Sequence, residues 1–163
     1  VHRRPRLSLP VLAALVAAAV AVLVGGLFAG VTAYRSRPVD VTPAPNATDP
    51  ACARLGAGLP ATLAGLRRVA TTTPSPSVAA WGRPSIVWRC GVTPPGPTTD
   101  QCQTIDGVDW VVRPLTDGAS FTTYGRDPAV QVLVPSAYAP EPLRLPPLSD
   151  VVRAVPQGEH RCS

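Results

Sequence analysis

The chain has 163 residues, 15 basic and 10 acidic side chains, a formal net charge of +5 and four cysteines. That length allows one membrane helix and one domain of ordinary size. Every basic residue is arginine and three of them (Arg3, Arg4, Arg6) sit at the start. The rest is therefore close to neutral, and no basic stripe with interleaved aromatics points to a nucleic-acid partner.

Residues 1–9 read as a short basic stub on the cytoplasmic side. From Pro10 to Ala33 the chain is apolar and uncharged. A helix of about 24 residues rising about 1.5 Å each would cross a bilayer core. Positive charge ahead of the stretch favours a cytoplasmic N-terminus at the plasma membrane, with the C-terminal domain outside. The competing reading is a cleaved signal peptide followed by secretion, with Val31-Thr32-Ala33 as a loose cleavage site. Signal cores usually run about 7–15 residues, so the length favours a retained anchor. Gly26 and Gly30 have the spacing that lets two membrane helices approach, a weak pointer to self-association, because it arises easily in an Ala/Gly-rich run.

Residues 34–50, with SRPVDVTPAPNATDP inside, are expected to form a stiff extended linker. The domain is expected over residues 51–163. Its cysteines, Cys52, Cys90, Cys102 and Cys162, lie beyond the apolar stretch, where an oxidising compartment favours disulfides. Three connectivities are open. The preferred one pairs Cys90 with Cys102 across a short loop and Cys52 with Cys162 across the domain. Leu55, Leu59, Leu63 and Leu66 recur at helical spacing after Asp49 and Pro50, a cap and a first-turn proline, with Pro60 splitting the segment into two helical turns.

Strands follow. Residues 67–72 read as a short one and Ile86 to Cys90 as another. Asp106-Gly107 and Asp117-Gly118 are hairpin signals. Between them Val108, Trp110 and Val112 share one face while Asp109, Val111 and Arg113 share the other. Phe121 to Tyr124 and Ala129 to Val134 complete an antiparallel meander of about four to five strands. Near the end, Ser149 is a cap candidate for a short helix burying Leu148, Val151, Val152 and Val155. The fold class is α+β: an apolar helix, then one disulfide-stapled domain with short helices laid on the meander.

The segments Ala79 to Val92 (AAWGRPSIVWRCGV), Gly107-Val108-Asp109-Trp110 and Thr123 to Val130 (TYGRDPAV) resemble the DUF3515 family of actinobacteria, in order and spacing from Cys52 nearly to the end. The resemblance implies a single-pass or secreted cell-envelope protein. It implies no activity and supplies no catalytic residue.

Little chemistry is visible. His160 is the one histidine beyond the apolar stretch and no lysine is present, so a serine nucleophile has no base of either kind to draw on. No C-x-x-C or H-E-x-x-H occurs, and only His160 and Cys162 lie close together as metal-ligand types, so neither cofactor nor metal is expected. Asp106 and Asp109 are near each other, but turns use Asp for backbone reasons. Trp81, Trp88 and Trp110 with Arg83, Arg89 and Arg126 gather residue types common at interaction hot spots. They form the candidate patch for an envelope protein or wall component, with Trp81 the residue expected at an edge. An envelope enzyme using carboxylates is the alternative. N-terminal sequencing of the mature protein checks the anchor: a retained apolar stretch is expected, and a start at Tyr34 would overturn it.

Overall fold

The computed structural model describes residues 9–162, so Arg3, Arg4 and Arg6 of the basic stub lie outside the described residues. It divides into two units, residues 1–37 and residues 38–163. The first holds α1 (Leu9–Ser36), whose span Leu9–Tyr34 is long and apolar enough to cross a membrane or to serve as a signal sequence. Thr32 is bonded to its own helix, its Oγ1 sharing its hydrogen between the carbonyls of Phe28 and Ala29, at 3.0 and 2.9 Å. In hydrocarbon that removes most of the cost of a bare hydroxyl.

The second unit begins before the expected domain boundary. Residues 38–49, expected as a linker, are a strap on the fold. Val39 exchanges backbone hydrogen bonds with Ala70 and Thr72, and the Asn46 amide donates to Gly91 at 2.9 Å. Val41 and Ala44 are buried. Proline rigidity here lowers the entropy lost on ordering a segment that is packed.

The strap leads into α2 (Pro50–Gly58), where the Asp49 carboxylate accepts from the Ala51 amide at 2.7 Å and Pro50 opens the first turn. The expected second helical turn is a β-hairpin instead. β1 (Thr62–Leu63) and β2 (Leu66–Val69) pair through Leu63 and Leu66, with Ala64 and Gly65 both at positive φ between them. Two such residues make the turn whose twist matches paired strands. Leu63 still reaches the core, so the leucine spacing marked burial correctly and the element wrongly.

β3 (Val78–Trp81), β4 (Ile86–Val92), β5 (Gln101–Ile105), β6 (Val108–Leu115), β7 (Gly118–Thr123) and β8 (Ala129–Pro135) complete one antiparallel sheet of eight strands, ordered β1-β2-β3-β4-β8-β7-β6-β5. The expected four to five strands are all present, and β1 to β3 extend the sheet on the β4 side. Asp106 and Gly107, both at positive φ, form the β5–β6 turn as predicted. At the second signal Gly118 already pairs with Leu115, leaving Thr116 and Asp117 as the turn.

One sheet face is apolar. Ile86, Trp88, Cys90, Phe121, Val130, Val132, Val108 and Trp110 alternate onto it and meet Leu55 and Leu59 from the α2 end. α3 (Pro146–Val152) adds Leu148 and Val152. Ser149 is not its cap. It lies within the helix, fully buried, accepting from Trp110 Nε1 at 3.2 Å. Burying an indole removes about 150–250 Å² from water, a transfer gain on the order of 4–6 kcal/mol.

The disulfides are Cys52–Cys90 and Cys102–Cys162, each with 5.5 Å between Cα atoms, which overturns the preferred pairing. Three strands separate β4 from β5, so Cys90 and Cys102 stand about four strand spacings, roughly 19 Å, apart. A disulfide needs Cα atoms within about 7 Å. The actual pairs close 38- and 60-residue separations, worth about 4 kcal/mol each in the loop-entropy view.

Gly91 joins strap to sheet. Its φ is +88°, and a Cβ there would meet the Asn46 carbonyl at 2.3 Å. Gly91→Ala is expected to cost about 2–3 kcal/mol and to release the strap, measured by denaturant unfolding together with proteolysis within residues 38–49.

Candidate functional site

The six residues of the expected patch do not form one surface. Trp81, Trp88 and Trp110 are all fully buried. Trp81 is no edge residue: its Nε1 donates to the Pro60 carbonyl at 2.9 Å and the Arg68 guanidinium covers its ring at 5.8 Å. Alternation explains this, because β3 pairs with β2 on one side and β4 on the other, and Trp81 points to the helix-covered face. Arg83 sits half-buried in the β3–β4 turn.

Arg126 follows β7 and is 5% exposed. Its Nη1 donates to the Val155 carbonyl, and its Nε has no hydrogen-bond partner among the described residues. Burial pushes the guanidinium below its ordinary value, and Arg161 and Arg153 add to the fall while Asp109 opposes it. The group belongs to a clasp that holds the C-terminal tail. Asp109 Oδ1 accepts from Thr104 Oγ1 at 2.6 Å and Oδ2 from the Cys162 amide at 3.0 Å. The Gly158 amide donates to the Gly125 carbonyl at 2.6 Å, and the His160 ring meets Tyr124 edge-on at 5.4 Å. Asp109, which lies on the expected face of β6, is thus committed at both oxygens to tail and sheet. Asp106 lies exposed in its turn and Asp127 is exposed after Arg126.

Arg89 has a different setting. It projects from the middle of β4 onto the sheet face opposite the helices. Val78, Arg89, Gln131, Thr122, Val111 and Cys102 stand in register across β3, β4, β8, β7, β6 and β5 on that face. Arg89 Nη1 donates to Gln131 Oε1 at 3.3 Å, and Gln131 Nε2 donates to Ser120 Oγ at 3.2 Å. A hydrogen-bonded chain thus crosses three neighbouring strands. Arg89, Gln131, Val87 and Leu133 are half-buried there, with Ser120 and Thr122 buried between them. Gln131, Ser120 and Thr122 escaped the sequence reading. Their signal was the polar half of the alternation in β7 and β8, which is legible only once the strands are known to be neighbours.

Elsewhere, a groove of about 410 Å³ between α2 and α3 is lined mainly by small and apolar side chains, among them Leu55, Gly58, Val151 and Ala154. Among the described residues no three His, Cys, Asp or Glu side chains gather as a metal site.

Fold and site define a class: an apolar helix joined to an antiparallel, two-disulfide sheet unit with helices on one face and a polar chain on the other. Within it, this protein belongs to the family described as "Protein of unknown function (DUF3515)", whose model matches residues 9–160. No curated protein and no solved structure matches the chain significantly.

The two disulfides differ in access, since Cys52 and Cys90 are fully buried while Cys102 and Cys162 are half-buried. Thiol exchange requires approach to sulfur. Under limiting dithiothreitol, Cys102 and Cys162 are expected to be alkylated at least ten times faster than the other pair, by mass spectrometry. Equal rates would refute the difference in access.

Proposed function

We propose that the protein is a single-pass, membrane-anchored binding module of the cell envelope, displayed outside the cytoplasm with its N-terminus inside. The apolar helix supports attachment, and two disulfides support an oxidising compartment. The observation that carries the binding reading is the Arg89–Gln131–Ser120 chain on the sheet face free of helices. That face presents polar groups on a rigid floor, since β4, β8 and β7, which carry the chain, are each paired on both sides. Sites built on strands hold their geometry better than sites built on loops. The carboxylate-enzyme alternative loses its best residue, because Asp109 is occupied in the tail clasp. Its partner is an envelope protein or wall component.

In-cell photocrosslinking tests this with the full chain. A photoreactive residue at Leu133, on the polar face, is expected to give a discrete adduct in the membrane fraction. The same residue at exposed Leu143, in the short helical turn Glu141–Arg144, gives the background. A yield from Leu133 no greater than from Leu143 would sink the proposal.

A further inference from the structure

The polar face has a chemical bias, and it rests on Arg89. Its backbone is locked in β4 between β3 and β8, so the side chain leaves the sheet at a fixed point. The guanidinium offers five donors. One of them, Nη1, meets Gln131 Oε1 over a long 3.3 Å. Nε is buried and has no acceptor among the described residues. Ion pairs form at Arg113–Asp100 and Arg153–Asp150, and among the described residues no carboxylate pairs with Arg89.

Hydrogen-bond polarity runs one way along the floor. Arg89 donates to Gln131 and Gln131 donates to Ser120, which leaves the Ser120 hydroxyl hydrogen directed elsewhere. Thr122 adds a second hydroxyl opposite Gln131. The part of the floor around Arg89, Gln131, Ser120 and Thr122 is thus rich in donors, and the carboxylate on this face, Asp109 of β6, is engaged by Thr104 and the Cys162 amide. An incoming acceptor with negative charge would supply the partner that the Arg89 Nε lacks among the described residues. Arginine is also the side chain whose planar fork fits carboxylate and phosphate oxygens in pairs.

We infer that this face binds an oxyanion, a carboxylate or phosphate group carried by the ligand, with Arg89 as its principal contact and Gln131 and Ser120 as the groups that position it. The inference rests on the binding reading above and specifies its ligand class. A cationic or purely apolar ligand does not suit the floor.

The test uses the full chain with both disulfides formed, in uncharged detergent micelles, labelled with ¹⁵N-arginine. The buried Arg89 Nε–H resonance is assigned by its loss in Arg89→Gln. Sodium phosphate and sodium acetate are each titrated against sodium chloride at equal ionic strength. A saturable shift of that resonance with either oxyanion is expected, accompanied by a rise in Tm. The affinity should fall at least tenfold in Arg89→Gln, read there from the rise in Tm because the resonance is gone, and severalfold in Ser120→Ala, read from the resonance; the latter keeps the guanidinium in place and covers the case where Arg89→Gln fails to fold. Saturation by phosphate alone or acetate alone names the oxyanion. Saturation only by vesicles containing phosphatidylglycerol assigns it to a lipid headgroup. Responses to phosphate, acetate and vesicles that match chloride overturn the inference. If Leu133 still crosslinks in that case, the binding reading stands and only the ligand class falls; if Leu133 is silent, both fall.

Discussion

The pairing of β4 with β8 is the constraint on which the rest of the sheet depends. Strands adjacent in the chain often lie adjacent in space, yet here β8 enters between β4 and β7, and β5 is pushed to the far edge. Trp88 meets Val132 across this junction and Cys90 meets Val130, so the centre of the core forms where the last strand joins the first half of the sheet. The same insertion puts Arg89 opposite Gln131. Core and polar chain are two sides of one strand pair.

That junction separates two physical environments by the strand period alone. On the helix side, the indole nitrogens of Trp81 and Trp110 find acceptors in the Pro60 carbonyl and the Ser149 hydroxyl. Satisfying those groups lets two of the three large rings be buried with their donors paired, while the Trp88 Nε1 has no partner among the described residues. On the opposite side, Arg89, Gln131 and Ser120 are linked in one hydrogen-bonded chain, and the Arg89 Nε has no acceptor among the described residues. Tryptophan in this fold provides packing, and Arg89, two strands from β2, stands on the opposite face beside Gln131.

The ends of the compact unit are tied down by different means. At its start the strap is held by backbone hydrogen bonds to Ala70, Thr72 and Gly91 and by burial of Val41 and Ala44. At its end the tail is held by a disulfide to an edge strand, by Asp109 and by Arg126. β5 is short, and a free edge strand invites unwanted pairing. Joining Cys162 to β5 fastens that edge to the body of the fold. The buried pair Cys52–Cys90 acts in the core instead, fixing α2 to the central strand.

Much of this was legible in residue order because it depends on near neighbours. The apolar run made α1, Asp49-Pro50 started α2, Asp106-Gly107 made a turn, and the alternation in β6 and β8 sorted side chains to two faces. The family was also visible in its motifs. The hairpin at Leu63 to Leu66 was missed because leucines at helical spacing also satisfy a turn-reversed pair that points into the same core. The candidate patch failed for a related reason: Trp81 and Arg89 belong to adjacent strands but opposite faces, a distinction that needs register. Among the predicted site residues only Arg89 joins the polar chain, and its companions Gln131 and Ser120 were hidden on strands whose neighbours were unknown. By itself the sequence determined the elements governed by local periodicity, capping and turn chemistry, together with the cysteine count. Tertiary structure alone decided strand order, disulfide partners and the placing of Arg89 beside Gln131 on the face opposite the helices, because those follow from long-range contacts whose energies no local pattern records.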